Sequence, residues 1–138
     1  VGGQVLDMQS QQRLCTEQEV LDIQSRKTGA LICAACMLGI VAAGGSEKQI
    51  SAAYEFASHL GLAFQIRDDM LDVIGDAQKL GKAVGVDDNK NTFVQLYGIE
   101  VCDQMVKDHT QTAVNALSVF NHTEFLTELA NSLTGRTI

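Results

Sequence analysis

The stretch Phe64-Gln65-Ile66-Arg67-Asp68-Asp69-Met70-Leu71-Asp72-Val73-Ile74-Gly75-Asp76 constrains this chain more than any other. Its apolar residues recur at the three- and four-residue intervals of a buried helix, yet aspartates interrupt them. On a helix Asp68 and Asp72 are four apart and Asp69 and Asp72 three apart, so their side chains emerge as neighbours. Asp76 extends the line by a turn. Like charges at that spacing repel by ~0.2–0.5 kcal/mol per pair on an isolated helix, and by more where water is excluded. A solvated face is the plain alternative, but such a face carries Lys or Glu between its acids. Here those positions are Met70, Leu71, Val73 and Ile74. Carboxylates kept against an apolar wall call for compensating cations. Hard divalent ions with oxygen ligands, Mg²⁺ above all, are the natural partners.

The surrounding sequence predicts an all-α chain. It has no proline, and 46% of its residues are hydrophobic, arranged in long periodic segments. With 138 residues it is long enough for one domain with its own core. A formal charge of −7 argues against nucleic acid as a partner, because phosphates would be repelled by most of the surface. It does not exclude a phosphorylated ligand, since bound metal reverses the local sign. No apolar run reaches the ~20 residues of a membrane span. The nearest, residues 30–43, reads as a buried helix. Cys33-Ala34-Ala35-Cys36 matches a C-x-x-C pattern but lies mid-helix with no strand before it. All four cysteines therefore read as small buried thiols, and their reduced state would fit a cytoplasmic setting.

Residues 1–9 read as the end of a helix, and 10–15 as a polar connection. Thr16 and Glu19 form a capping-box pattern that opens a helix running through Val20, Ile23, Lys27, Leu31, Ala34 and Leu38 to a stop at Gly44-Gly45. Ser46 and Gln49 form a second box. It opens the central helix, whose inward side is expected to be Ile50, Ala53, Tyr54, Ala57, Leu60, Gly61, Phe64, Leu71 and Ile74, ending near residues 75–77. Gly61 costs about 1 kcal/mol against Ala inside a helix, so close packing against a neighbour is expected there. Residues 78–91 are the one long irregular stretch, the kind that is more often functional than accidental. A short helical turn at 92–97, broken at Gly98, precedes an amphipathic helix from Ile99 to about Phe120. Its inward positions are expected to be Val101, Met105, Thr112, Leu117 and Val119. A last helix spans 124–133 and ends at Gly135.

Several polar residues suit the same ligand as the acids. Gln65 lies one turn before Asp68, where its amide can donate to a phosphate oxygen or hold a carboxylate. Lys82 and Lys90 follow the acids in the irregular stretch and can neutralise outer diphosphate oxygens. Lys27-Thr28-Gly29 breaks an apolar helical pattern with a cation, a hydroxyl and a small residue, a coherent anion site. His59, His109 and His122 have no partner at ligand spacing and are assigned to surface or structure.

These residues carry a family resemblance. The run from Gly61 to Asp76, continued by Leu80-Gly81-Lys82, is similar to the second aspartate-rich motif of the trans-isoprenyl diphosphate synthases, the farnesyl and geranylgeranyl diphosphate synthase group also called polyprenyl synthetases. Gly2-Gly3-Gln4-Val5-Leu6-Asp7, Lys27-Thr28-Gly29-Ala30-Leu31 and the closing Leu129-Ala130-Asn131-Ser132-Leu133-Thr134-Gly135-Arg136 match further family segments in the right order.

The resemblance implies an all-helical fold of the isoprenoid synthase type enclosing a deep cavity, with residues 1–138 forming the C-terminal part of a single domain. It implies that an allylic diphosphate ionises with Mg²⁺ and condenses with isopentenyl diphosphate. Asp68, Asp69 and Asp72 belong by resemblance to the second metal-binding helix. Lys27 and Lys82 contact the allylic diphosphate, Thr28 and Gln65 sit beside the departing group, and Lys90 aligns with a further phosphate-binding lysine. The family's first aspartate-rich motif would precede Val1. The chain is therefore expected to be the C-terminal half of such an enzyme, with little activity alone, and a homodimer by family habit. Two other readings stand beside this one: a non-catalytic subunit of a heteromeric synthase, and a terpene cyclase with a similar cavity. Product length is not legible, because it depends on residues near the absent motif.

Overall fold

A computed structural model describes residues 2–10, 15–80 and 92–136. The described residues form helices and turns without a strand. In chain order these are α1 (Gly2–Ser10), α2 (Glu17–Gln24), a π-helical segment (Ser25–Gly29), α3 (Ala30–Ala42), α4 (Glu47–Leu80), α5 (Phe93–Tyr97), α6 (Ile99–Ala116), a 3₁₀ turn (Leu117–Val119) and α7 (Glu124–Thr134).

The two capping boxes form as their spacing predicts. Glu19 N–H donates to Thr16 Oγ1, and Thr16 N–H donates to Glu19 Oε2 at 2.9 Å. Ser46 and Gln49 repeat the exchange at the head of α4. Helix α3 ends in a Schellman turn, with Gly45 N–H donating to Ile40 O and Gly44 N–H to Val41 O. Gly44 sits at φ +70, a conformation costly to any residue with a Cβ. Gly75 does not do the same. It has no positive φ, and α4 continues through it to Leu80, past the expected end at 75–77. A glycine without an αL cap costs a helix about 1 kcal/mol but does not terminate it.

Helix α4 is the spine. It packs most extensively on α6, and the two run antiparallel. Ile66 and Met70 join Cys102 and Val106, with Val20, Ile23, Phe93 and Val94 closing that cluster. At the other end Phe56 and Leu60 join Ala113 and Leu117, closed by Ala130 of α7. The buried face of α6 is thus Cys102, Val106, Thr110 and Ala113, one position round from the expected Val101 and Met105, while Leu117 is buried as expected. Val101 is half exposed. Tyr54, also expected inward, is 57% exposed, on the side of α4 that faces α3 rather than α6.

Helix α3 departs furthest from expectation. It is apolar throughout, yet none of its residues is buried within this chain, and Leu31, Leu38 and Val41 are all exposed. Cys33 and Cys36, expected to be buried, are therefore only half-buried because α3 lacks a cover within this chain, whereas Cys15 and Cys102 are buried as expected. Burial, and then Cys33, push the Cys36 thiol up. Burial and then the Asp69 charge push Cys102 up to about 11. Both are held as protonated thiols.

Gly61 finds the close neighbour its position in a helix called for. A Cβ built there would stand 3.1 Å from Gly29 Cα, in the π segment, and 3.7 Å from Ile32 Cδ1. Backbone cannot yield as a side-chain tip can. Gly61→Ala is therefore expected to lower stability by about 1–2 kcal/mol despite the helix propensity it gains, measured as a lower urea midpoint.

His59 and His109, fifty positions apart in sequence, meet across the α4–α6 seam with Nδ1···Nδ1 at 2.8 Å. One ring donates and the other accepts, which requires the accepting ring to be neutral. Burial, and then His59, hold His109 below its usual imidazole value against the opposing pull of Asp108. The unfolded chain takes up that proton first. The contribution is whole above about pH 6.5 and is lost as pH falls towards the lowered folded value. The melting temperature should fall between pH 7 and pH 5, and His109→Gln should flatten that slope.

Candidate functional site

Gln65, Asp68, Asp69 and Asp72 follow the i, i+3, i+4, i+7 rule and lie on one stripe of α4. The stripe is not uniform. Gln65 and Asp69 are buried, 7% exposed each, while Asp68 keeps 47% of its side chain in solvent and Asp72 is exposed. Consecutive residues on a helix differ by about 100°, which turns Asp69 inward as Asp68 turns out.

Asp69 is held from two sides. Its Oδ2 accepts from Phe93 N–H at 3.1 Å, capturing the start of α5, and its Oδ1 accepts from Gln65 Nε2 at 3.3 Å. The other end of the Gln65 amide, Oε1, accepts from Thr28 Oγ1 at 2.8 Å. A continuous run of hydrogen bonds thus joins the π segment, α4 and α5. The π segment is what brings Thr28 there. One widened turn interrupts the α2–α3 helix at Ser25–Gly29, a local irregularity that often marks functional positions. Gly29 then meets Gly61 at close range, so the two backbones approach near Thr28 and Gln65.

Two arginines complete the surroundings: Arg67, which the sequence did not single out, and Arg136, the late Arg of the closing family-like segment, to which no contact had been assigned. Arg136 Nη2 donates to Asp68 Oδ1 at 3.1 Å, and its guanidinium lies 4.4 Å from the centroid of the Phe64 ring. Arg67 donates from Nε to Thr134 O at 2.6 Å and from Nη2 to Asp103 Oδ1 at 3.2 Å. These hydrogen-bond partners are 36 to 68 positions away, beyond the reach of any local pattern. The one sequence signal was the place of Arg136 at the end of the closing family-like segment.

A groove of about 530 Å³ opens between α2–α3 and α4, walled by Leu21, Gly29, Cys33, Ser58 and Leu62, with Gln65 at one end and Tyr54 at the other. Those ends are eleven helical steps apart, roughly 16 Å at about 1.5 Å per residue. Its walls are mainly apolar. Arg26 and Asp22 form an exposed ion pair on its rim at 2.8 Å.

The structure brings Thr28, Gln65 and Asp69 together and sets Asp68 and Asp72 beside them on the outer side of the stripe. The Lys27 side chain, Lys82 and Lys90 lie outside the described residues. Among the described residues no three Asp, Glu, His or Cys side chains converge on one point as a metal-binding group. No described helix is long and apolar enough to cross a membrane.

Residues 1–129 match the family model described as Polyprenyl synthetase. The chain belongs to that family. Among curated polyprenyl synthetase relatives, the farnesyl diphosphate synthase of Bacillus subtilis is 38% identical over 115 residues, covering 82% of this chain and 39% of its own length. The chain thus spans about two fifths of that relative. Among solved structures, the geranylgeranyl pyrophosphate synthetase of Pyrococcus horikoshii superposes with a TM-score of 0.81 at 27% identity, over 99% of this chain and 54% of that one. A geranyltransferase from Helicobacter pylori, solved in complex with magnesium and isoprenyl diphosphate, superposes with a TM-score of 0.72 at 30% identity, over 96% and 45%. The all-α architecture is that of the polyprenyl synthetases.

Proposed function

We propose that this chain is the second metal-binding half of a short-chain prenyl diphosphate synthase, which condenses an allylic diphosphate with isopentenyl diphosphate. The observation that carries the reading is the junction of two environments at Gln65: an apolar groove on one side, and the Asp68–Asp72 stripe on the other. A hydrocarbon tail suits the first, and a diphosphate carried on bound metal suits the second.

Asp68 and Asp72 offer hard carboxylate oxygens one turn apart. That donor set suits Mg²⁺, which commonly takes one or two carboxylates and fills its remaining positions with water and phosphate oxygens. When bound, Mg²⁺ supplies charge neutralisation to a departing diphosphate. Asp69, turned inward, serves by fixing Gln65. Gln65 in turn holds Thr28, so the polar end of the groove is ordered before a ligand arrives. The apolar walls exclude water from a developing allylic cation. Lys27, Lys82 and Lys90 are proposed as diphosphate contacts on the family resemblance alone. The magnesium and isoprenyl diphosphate in the Helicobacter pylori relative support that ligand class for the site, without bearing on individual lysines. A cytoplasmic homodimer, inactive without its other half, is part of this reading.

The test uses the full-length protein carrying this chain, incubated with dimethylallyl and isopentenyl diphosphates with and without Mg²⁺, the products being sized. Mg²⁺-dependent chain elongation is expected. A non-catalytic subunit would yield no product under either condition, and a cyclase would release diphosphate without consuming isopentenyl diphosphate.

A further inference from the structure

We propose that Arg136 is the resident counter-ion of Asp68, holding that carboxylate in place until a divalent cation displaces it. The inference rests on the metal-binding reading of Asp68 given above and adds a residue from the far end of the chain to it.

Arg136 reaches Asp68 because several contacts leave it little choice. Arg67 donates to Thr134 O at the last turn of α7 and to Asp103 on α6, pinning that end of α7 beside the acidic stripe. An arginine at a helix C-terminus is also favourably placed against the helix dipole. Beyond that turn, Arg136 Nε donates to Leu133 O at 2.9 Å. Its guanidinium lies over the Phe64 ring, and Phe64 is one turn before Asp68 on the same face of α4. One terminal nitrogen, Nη2, then meets Asp68 Oδ1 at 3.1 Å.

The strengths of these contacts differ in the right sense for an exchange. The ion pair is only half shielded, with 35% of the Arg136 side chain and 47% of the Asp68 side chain exposed, so water and salt weaken it. A divalent cation brings twice the charge and can engage Asp72 at the same time. On losing Asp68, the guanidinium keeps Phe64 and Leu133 O, so α7 need not undock. Until then, Arg136 relieves the repulsion between Asp68 and its acidic neighbours and limits the carboxylate's freedom to turn. It is a positioning residue, acting through Asp68.

Mn²⁺ serves as the probe, titrated into the full-length protein carrying this chain without substrate, with free Mn²⁺ read by electron paramagnetic resonance. D68N should weaken Mn²⁺ binding by about tenfold or more. R136Q, which frees the carboxylate, should tighten it by about 1.5- to 5-fold at low salt, the gain shrinking as salt rises. R136K keeps the charge and should stay within about twofold of the parent. If R136Q leaves affinity unchanged or weakens it while D68N still acts, the counter-ion role is wrong and the metal reading stands. An R136K that matches R136Q also overturns the role. If D68N has no effect, the metal reading fails and takes this proposal with it.

Discussion

Replacing Asp69 with alanine is expected to lower the stability of the protein by about 2–3 kcal/mol, read as a shift in the urea midpoint. The side chain is buried, and its removal strands the Phe93 amide at the start of α5 and one end of the Gln65 amide. Unsatisfied buried donors carry the full desolvation cost that a paired group avoids. Asp69→Asn keeps an acceptor for Phe93 N–H and should lose less, about 1 kcal/mol. Hydrogen exchange at Phe93 supplies a local readout. Its amide should exchange faster in Asp69→Ala than the global destabilisation alone requires. An unchanged midpoint would show that α5 is held by its apolar contacts alone.

The adjacent residue should behave in the opposite way. Asp68→Ala in the full-length protein is expected to reduce Mg²⁺-dependent condensation by roughly 100-fold or more, with little change in stability. Its one described partner is a half-exposed ion pair, worth no more than ~1 kcal/mol. Near-normal turnover in this variant would refute the role given to Asp68. Two neighbouring aspartates would thus split cleanly, one measured by unfolding and the other by turnover. The split follows from the 100° between consecutive helical residues, which points one carboxylate at α5 and the other outward.

Much of this was legible from the sequence wherever the determining contacts were local. Thr16 with Glu19 and Ser46 with Gln49 announced two helix starts, and Gly44-Gly45 announced a stop, because caps and turns are decided within a few residues. The acidic stripe with Gln65 before it was legible for the same reason. Gly61 was partly so: its cost in a helix implied a close neighbour, but not that the neighbour would be Gly29. Contacts between distant segments were not legible. Nothing near His59 points to His109, and nothing near Asp68 points to Arg136, because those meetings depend on how α6 and α7 pack on α4. The error at Val101 has a different origin. Its face of α6 is apolar enough to look inward, but α4 meets the helix one residue further on, at Cys102 and Val106. Helix α3 misled most, since an all-apolar helix reads as buried whether or not the chain in hand supplies the cover.

The hydrogen bonds from Thr28 through Gln65 to Asp69 also have a direction. An ionised carboxylate can only accept, so Asp69 takes the NH₂ end of the Gln65 amide and turns the carbonyl end towards Thr28. The hydroxyl proton of Thr28 is therefore already spent. What remains on that oxygen for a second partner is lone pairs. A phosphate oxygen approaching Thr28 has to break the bond to Gln65 before it gains a donor, whereas an ammonium, a metal ion or an electron-poor carbon finds an acceptor waiting. A buried aspartate thus sets the sign of the charge a hydroxyl two hydrogen bonds away prefers to meet.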